Sequence, residues 1–469
     1  MNTNPPPGTR VRWLVAGAFG TSPSGRRFLL TEDTFSEYLG RTARGLSVTV
    51  QDRLGSGDAN AYELSFDGLS AFQLSAVIDA VPDLRALRNA LDALSGARTL
   101  DAQDATRLQS VLGEGRLASA VAGALRGASS PQGARRAALA AIEEALFATA
   151  RDILGHPRVA RLESAWRGLH WLWTHCPASA GMDIEVLDIE PHQLVEALSR
   201  CLDVPPIQRP DACFILDASD DVNTLHQLAA LGEEAWVPMV VAVKDDLPPE
   251  AWARLRADET SRWLCAALNP VVMMAEQQGE VHRECFTSPA LAVAALMSAS
   301  FRDTRTFARL VGPGSATRAP SVWRPQGGST VATEVGLSLR EQERLAARGL
   351  VGVSGWWDSN SVLLTAAPTV YGGRDATILP AQLLTGRVVR LAQELAERIP
   401  TGASQDAVST LFSRAAELFL SAGSGRTCQL QGRVVATGNG ERGVHVYASL
   451  KPELAGTQVQ LEFTLPLRG

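Results

Sequence analysis

Two amphipathic segments meet at a proline in the first half of the chain, where residues 152–172 are DILGHPRVARLESAWRGLHWL. The segment from about Arg136 carries apolar residues at helical spacing up to Gly155-His156-Pro157, where the helix breaks because proline cannot continue it. The segment after the break carries an apolar stripe at i, i+4, i+7 and i+11, formed by Leu162, Trp166, Leu169 and Trp173. The spacing predicts two successive helices, the second of which must pack against a large apolar surface.

The N-terminal part alternates between strand and helix patterns. Residues 11–20 are predicted to form a buried strand, and Thr31 caps a helix whose first turn is rich in acids. Residues 46–54 and 62–66 alternate in polarity around a turn-forming segment, which is typical of a β-hairpin. Residues 96–133 are rich in Ala, Gly and Ser and predict only weak helices, so we expect a domain boundary there.

The middle of the chain has the pattern of a βαβ unit. Residues 213–216 and 237–243 are apolar runs of strand length, and residues 222–235 between them have the pattern of a helix. Together with the N-terminal pattern, this unit predicts a mixed α/β (α+β) fold.

Three segments of alternating polarity close the chain, over residues 429–436, 443–452 and 457–467, and predict an antiparallel sheet. A helix over residues 406–421 precedes them, with Val408, Leu411 and Phe412 on its apolar face. The sheet is apolar on one face only and needs a partner layer. The candidate assembly positions on these strands are Val434, Val446, Val459, Leu461, Phe463 and Leu465.

The composition excludes several classes of protein. A chain of 469 residues with 45% hydrophobic and 20% charged residues can bury the cores of about two or three domains. The net charge of −6, from 44 basic and 50 acidic side chains, offers no basic stripe to phosphates, so nucleic acid is not an expected partner. The cysteines lack CxxC spacing, and no apolar run reaches the roughly 20 residues that span a bilayer. We expect no structural zinc, no direct membrane insertion and a cytoplasmic location.

Signs of catalysis are few, since the P-loop, HExxH and GxSxG motifs do not occur. Asp217, Asp220 and Asp221 follow the first strand of the βαβ unit, and Asp245 and Asp246 follow the second. Carboxylates at the carboxyl ends of parallel strands often hold Mg²⁺, but aspartates are also common turn and helix-capping residues. We favour capping, and the alternative is a Mg²⁺-dependent enzyme that uses Asp217, Asp221 and Asp245.

Glu163 and Arg167 lie four residues apart in the second helix of the opening stretch. This spacing predicts an ion pair on the helix face that contributes about 0.2–0.5 kcal/mol. The pair does not suggest chemistry.

The stretch 152–172 resembles the opening segment of the large sheath subunit of type VI secretion systems (TssC/VipB type). That family has a helix, a His-Pro break and then Leu-Glu-x-x-Trp-Arg-Gly-Leu. The pattern is matched by His156, Pro157, Leu162, Glu163, Trp166, Arg167, Gly168 and Leu169. Residues 212–217, 333–349 and 450–459 resemble further stretches of the same family in the right order, so the resemblance covers most of residues 137–469.

The N-terminal part is similar to the small sheath subunit (TssB/VipA type) at residues 62–74, YELSFDGLSAFQL, and 81–91, VPDLRALRNAL. The two resemblances imply a fusion of both subunits in one chain. They divide it into a small-subunit-like α/β domain (1–96), a linker (97–136) and a large-subunit-like domain (137–469) whose residues 426–469 are a β-rich assembly segment. Residues 191–269 are shorter than that part of the family, and the arms of both subunits are compressed into 96–136.

The resemblance implies a structural protein without a cofactor, not an enzyme. Copies of the chain would polymerise into a helical, contractile tube around an inner-tube protein, with baseplate proteins and a disassembly ATPase as further partners. Residues 108–118 resemble the helix that the ATPase binds, and a generic amphipathic helix is an alternative interpretation.

We expect the C-terminal strands to be shared between subunits, and Phe463→Glu to abolish assembly. A second hypothesis keeps the fold but not the tube: a cap or baseplate component related to sheath proteins.

Overall fold

The computed structural model describes residues 10–55, 59–96, 102–113, 118–119, 121, 132–325, 328–419, 429–436, 442–454 and 457–467. Helices and strands are interspersed along the chain, which confirms the predicted mixed α/β fold. The helices are α1 (Glu32–Thr42), α2 (Leu74–Ala80), α3 (Pro82–Ser95), α4 (Ala102–Leu112), α5 (Gln132–Gly155), α6 (Pro157–Thr174), α7 (Leu194–Leu202), α8 (Val222–Ala235), α9 (Pro249–Ala257), α10 (Pro289–Thr304), α11 (Leu339–Ala347), α12 (Leu379–Arg398) and α13 (Gln405–Phe419). The strands are β1 (Val11–Gly17), β2 (Arg27–Leu29), β3 (Leu46–Gln51), β4 (Ala59–Leu64), β5 (Met182–Asp188), β6 (Ala212–Ser219), β7 (Met239–Val243), β8 (Leu264–Leu268), β9 (Val271–Gln278), β10 (Val281–Thr287), β11 (Thr317–Arg318), β12 (Leu350–Gly352), β13 (Ser354–Gly355), β14 (Ser361–Leu363), β15 (Gln429–Ala436), β16 (Arg442–Leu454) and β17 (Thr457–Pro466).

A seven-stranded sheet forms the centre of the molecule, in the order β12-β8-β7-β6-β1-β5-β2. All neighbouring strands are parallel except β2, which runs antiparallel to β5. Strands β1, β7 and β8 are apolar and buried along nearly their whole length, because helices cover both faces of a parallel sheet. The predicted βαβ unit is confirmed as β6, α8 and β7.

Strand β1 lies inside this sheet, between β5 and β6. Val15 is paired with Val186 on one side and with Phe214 on the other. Both edges of β1, the first strand of the N-terminal segment 1–96, are therefore paired with strands of segment 137–469. The two segments share one sheet.

Helices form a layer on each face of the central sheet. On one face α10 lies along β6, β7 and β8, and α6 packs on α10. Residues 289–300 of α10 are all buried, which suits a helix composed almost wholly of small and apolar residues. On the other face α7, α8 and α9 contribute Leu198, Leu228 and Leu255 to a second core.

Strands β3 and β4 form the hairpin predicted from the alternation, with Val48 opposite Tyr62. Helices α2 and α3 pack against α5, and α4 packs on α3. Residues 137–155 of α5 thus lie against the N-terminal segment, and they lead directly into the Gly155-His156-Pro157 break.

The C-terminal strands form the predicted antiparallel sheet, in the order β15-β16-β17. Its apolar face packs on α12 and α13 of the same chain, so that Val446, Val388 and Phe412 share one core. The partner layer that the one-sided pattern requires is therefore present within the chain itself.

Helix α13 departs from the predicted apolar face at one position. Val408 and Phe412 are buried, but Leu411 is 37% exposed. The Phe412 ring lies over Gly432 of β15, where any Cβ would come within 2.6 Å of the ring. Leu411 is about 100° around the helix from Phe412 and consequently faces away from the sheet.

Candidate functional site

The Leu-Glu-x-x-Trp-Arg-Gly-Leu motif lies on α6, whose start is set by His156 and Pro157. The Nδ1 atom of His156 accepts a hydrogen bond from the backbone N–H of Arg158 at 3.4 Å, and Pro157 occupies the first helical position. Proline is favoured there because its missing donor would have no partner in the helix. The predicted break is confirmed, since α5 ends at Gly155 and α6 begins at Pro157.

Trp166 joins α6 to the N-terminal segment. Its side chain is fully buried, and its indole N–H donates to the carbonyl oxygen of Phe19 at 2.8 Å. The rings of Phe19 and Phe35 meet it edge-on, with centroids 5.5 and 5.2 Å away. Leu162 and Leu169 are buried in the same core, so the apolar stripe predicted from the sequence has its large partner surface.

Gly168 is a point of close approach between α6 and the elements that it packs on. A Cβ added there would lie 1.8 Å from Oγ1 of Thr287 and 2.6 Å from Cδ1 of Leu291. Only glycine allows α6 to approach Thr287 of β10 and Leu291 of α10 in this way, since no side chain fits between them. The glycine of the motif is thus a packing requirement.

Glu163 is the centre of a buried ion cluster. One carboxylate oxygen accepts from Nε of Arg167 at 2.6 Å, and the other accepts from Nη2 of Arg283 on β10. Nη1 of Arg283 also donates to Glu276 on β9 at 3.1 Å. The side chains of Glu163 and Arg283 are 1% and 5% exposed. The predicted ion pair between Glu163 and Arg167 is present, and it is part of a larger buried cluster because β9 and β10 cover that face of α6.

The same cluster holds the backbone of the N-terminal segment. Arg167 donates to the carbonyl oxygen of Leu69 at 3.1 Å, and Arg283 donates to that of Phe72 at 3.1 Å. The backbone N–H of Leu74, at the start of α2, donates to the Glu276 carboxylate at 3.2 Å. Residues 69–74 are thus fixed by charged groups that all belong to segment 137–469.

Burial opposes the charged forms of these groups. It lowers the pKa of the Arg283 guanidinium to about 10 and raises the pKa of the Glu276 carboxyl above its usual range. Buried charges stay ionised only when oppositely charged partners compensate for the lost water. The removal of one group in this cluster would therefore leave the others without that compensation.

A second buried ion cluster ties the C-terminal helices to the sheet. Asp211, next to the start of β6, accepts from Arg387 at 3.0 Å and from Arg390 at 2.8 Å, both on α12. It also accepts from the backbone N–H of Arg12 at 2.9 Å. Arg390 in addition donates to the carbonyl oxygen of Pro210 at 2.7 Å.

Neither cluster was predicted from the sequence, although one signal was available. Arg283 follows Val281 and precedes Cys285 at the spacing of two residues that places side chains on one face of a strand, and all three are buried. A charged residue in phase with buried positions indicates a buried partner of opposite charge.

The carboxylates of the alternative metal site each have another partner. Asp217 forms a two-point ion pair with Arg161, at 2.9 and 3.1 Å, and Asp245 pairs with Arg348 at 3.2 Å. Asp221 caps α8 by accepting from the backbone N–H groups of Asn223 and Thr224, which confirms the capping interpretation for this residue. Asp220 pairs with Lys244.

Within the described ranges no cluster of three His, Cys, Asp or Glu side chains could hold a metal ion. The Mg²⁺ hypothesis therefore has no support from the geometry, because these carboxylates have separate partners. The five cysteines in those ranges are free thiols.

His175, which ends α6, is held by two hydrogen bonds. Its Nδ1 lies 2.8 Å from the carbonyl oxygen of Trp171 and its Nε2 lies 2.6 Å from Oγ1 of Thr317. A neutral ring that donates from Nδ1 and accepts at Nε2 satisfies both contacts. Burial, reinforced by the charge of Arg302, lowers the pKa of His175.

The candidate assembly positions have mixed surroundings. Val446 is fully buried and pairs with Phe463 across β16 and β17, while Phe463, Leu461 and Leu465 are half-buried on α12 and α13. Val434 on β15 is also half-buried in this core. Val459 pairs with Leu450, but its side chain lies outside the described residues. The face opposite to α12 and α13 is polar, with His445 bonded to Glu462 at 2.9 Å.

Across the residues that the structure describes, no helix is both long and apolar enough to cross a membrane.

Residues 136–206 match the family model VipB: EvpB/VC_A0108, tail sheath N-terminal domain. These residues include α6, with its complete motif, and they contribute Glu163 and Arg167 to the buried cluster. A search of curated proteins gives no match.

Solved structures that resemble the chain include three sheath proteins. The contracted helical sheath of the anti-feeding prophage is 12% identical over 65% of this chain and 79% of its own, with a TM-score of 0.41. The contracted PVC sheath of an extracellular contractile injection system is 12% identical over 68% and 81%, with a TM-score of 0.37. A sheath tail protein from Desulfitobacterium hafniense is 10% identical over 60% and 61%, with a TM-score of 0.36. On the strength of the family match, the predicted resemblance to contractile sheath proteins is confirmed over residues 136–206, the segment that carries the Leu-Glu-x-x-Trp-Arg-Gly-Leu helix.

Proposed function

We propose that this chain is a structural subunit of a contractile sheath of the type VI kind, and that it acts by polymerising. The observation that carries the proposal is the tail sheath domain match over residues 136–206. The geometry agrees with it, since every residue of the motif on α6 serves helix capping, packing or buried ion pairing. In such a protein binding energy between copies, not catalysis, performs the work.

We infer further that small-subunit-like and large-subunit-like parts are fused in this chain. The inference is supported by the place of β1 between β5 and β6. It is also supported by the hydrogen bonds that Arg167 and Arg283 donate to the carbonyl oxygens of Leu69 and Phe72. A small part that supplies one strand to the other part's sheet is inseparable from it in the folded state. Fusion then keeps the two parts in equal numbers.

The partners follow from this role. Copies of the chain would form a helical tube around an inner-tube protein, and baseplate proteins would meet its end in the cytoplasm. A disassembly ATPase is a further expected partner, although Leu108 and Leu112 of the segment that resembles its binding helix are buried in the same core as α3. An ATPase that binds this segment would have to displace α4 from α3.

The C-terminal sheet remains the expected place for strand sharing. In the described part of the chain, β15 and β17 are its two edges, each with one unpaired side. An extended segment of a neighbouring copy can add to such an edge through backbone hydrogen bonds without disturbing the core beneath.

Negative-stain electron microscopy of the purified chain, alone and together with a candidate inner-tube protein, tests the proposal. We expect hollow helical tubes. Monodisperse small particles under both conditions would contradict a tube-forming role and would favour the cap or baseplate hypothesis.

A further inference from the structure

Two of the hairpins lie outside the large sheets. In the part of the chain that the structure describes, β9 and β10 form one two-stranded sheet and β3 and β4 form another. Strands β10 and β3 are therefore edges, with backbone N–H and C=O groups on the side away from their partners. A strand edge of this kind can pair with a further extended segment.

A cavity of about 680 Å³ lies between β10 and the end of β3. Five consecutive residues of β10, 282–286, line it, and so do Val50 and Gln51 of β3. Successive side chains of a strand point to opposite faces, so a cavity that contacts all five residues runs along the edge of β10. The residues of β9 are all described and none of them lines the cavity, which places it on the unpaired side of β10.

The cavity has room for a short extended segment. Helices supply the rest of its lining, through Leu154 and Gly155 at the end of α5 and Ala160 and Glu163 on α6. From a strand spacing of about 4.8 Å, a sheet spacing of about 10 Å and a rise of about 3.3 Å, one residue of a packed strand occupies roughly 160 Å³. The cavity therefore corresponds to roughly four residues, which agrees with the length of β10 that lines it.

The turn between β9 and β10 shows how the backbone of β10 is oriented. Gln278 is paired with Val281, so that a turn of two residues joins the strands. Gly279 takes a positive φ of 58°, as glycine does in the first position of such a turn. The residues that flank a turn of this kind are joined by a backbone hydrogen bond, so Gln278 and Val281 form a hydrogen-bonded pair.

From this pair, bonded and unbonded positions alternate along β10. Arg283 and Cys285 are thus bonded to β9. The N–H and C=O groups of His282 and Glu284 point the other way, toward the cavity. Among the described residues these groups have no hydrogen-bond partner.

These groups define the chemistry of the occupant. Backbone donors and acceptors that repeat at a spacing of two residues are the groups with which an extended polypeptide pairs. Among the charged lining residues, Arg151 pairs with Asp152 and Glu163 pairs with Arg283, so these charges do not select an ionic ligand.

We propose that an extended segment of a neighbouring copy enters this cavity and pairs with the edge of β10. The occupant is a second copy because a polymer of this chain holds one beside every other. An acceptor edge and a donor segment are unlike surfaces, so the contact continues from copy to copy without closing. The inference rests on the proposed function and names a contact separate from the C-terminal sheet.

Hydrogen exchange of individual backbone amides tests the contact in the natural protein. The full-length chain is exchanged in dispersed form at low concentration and again after assembly, and fragmentation mass spectrometry locates the label. We expect the N–H groups of His282 and Glu284 to exchange at least about tenfold more slowly in the assembled protein. The N–H groups of Arg283 and Cys285 are the internal control, because β9 protects them in both forms.

Proline substitution provides a second measurement. Glu284→Pro removes an N–H that faces the cavity and that β9 does not use, which an edge strand tolerates. We expect the protein concentration needed for assembly to rise about tenfold, the effect of losing about one backbone hydrogen bond. Glu284→Ala, which keeps the N–H, is the matched control and should assemble as the natural protein does. Thermal unfolding checks that both variants are folded, and if Glu284→Pro is not, the exchange measurement decides alone.

The possible results separate this inference from the proposed function. Assemblies in which both amides exchange as fast as in dispersed copies would overturn the contact, and so would normal assembly of a folded Glu284→Pro variant. If those assemblies are hollow tubes, the sheath proposal stands. Slow exchange in assemblies that are not tubes would support the contact and overturn the sheath proposal. A folded chain that stays monomeric under all conditions would overturn both.

Discussion

Glu163 is buried between the guanidinium groups of Arg167 and Arg283, whose side chains are 14% and 5% exposed. Glu163→Gln would leave Arg167 and Arg283 as buried charges that the Glu276 carboxylate alone must balance. We expect the free energy of unfolding to fall by about 3–5 kcal/mol, as measured by urea denaturation.

Glu37→Gln is the matched control for this change, because Glu37 forms an exposed ion pair with Arg41 at the same spacing of four residues. It should alter the free energy of unfolding by less than about 0.5 kcal/mol. Equal effects of the two substitutions would show that the Glu163 cluster contributes no more than a surface pair.

His175 makes stability depend on pH. Its pKa is lowered in the folded protein, so the unfolded chain binds more protons in the interval between the folded value and the ordinary value near 6.5. Its contribution to stability is present above pH of about 6.5 and is lost as the pH falls toward the folded pKa.

We expect unfolding free energies measured between about pH 7.5 and 5.5 to fall more steeply for the natural protein than for His175→Asn, by at most about 1.4 kcal/mol per pH unit. His192→Asn, at an exposed position, is the control for the removal of a histidine. Identical slopes in all three proteins would contradict the assignment.

At the scale of elements, the C-terminal sheet depends on helices of its own chain. Phe463 packs on the core formed by α12 and α13, so Phe463→Glu introduces a charge into an intramolecular contact. We expect a loss of about 2–4 kcal/mol in stability and faster proteolysis of the C-terminal strands. A failure to assemble would then follow from local unfolding.

Gln460→Glu adds the same charge on the exposed face of β17 and should leave proteolysis unchanged. If Phe463→Glu proved as resistant as the natural protein yet did not assemble, its side chain would contact a neighbouring copy instead of α12 and α13.

At the scale of the whole molecule, the N-terminal and C-terminal segments are bound by a shared sheet and by the Glu163 cluster. We expect the folded chain to survive cleavage at a protease site inserted between residues 126 and 127. The two fragments should elute together in size-exclusion chromatography, because β1 is paired on both sides. In concentrated urea the same fragments should elute apart. Separation under native conditions would show that the covalent connection, not the sheet, holds the segments together.

Local patterns in the sequence determined much of the fold. The break at His156-Pro157, the stripe through Leu162 and Trp166, the βαβ unit and the C-terminal sheet were predictable, because each is encoded by neighbouring residues through helix or strand periodicity. The motif on α6 was likewise visible as a contiguous string, and it lies inside the residues 136–206 that match the tail sheath family model.

Contacts between distant residues were decided only by the tertiary structure. Glu163 meets Arg283 across 120 positions of sequence, and Asp211 meets Arg390 across 179. Periodicity shows that a side chain is on a buried face but not which distant side chain lies opposite to it. For this reason the sequence predicted the pair of Glu163 with Arg167 but not its burial against Arg283, and it showed that the C-terminal sheet needs a partner layer but not that α12 and α13 supply it.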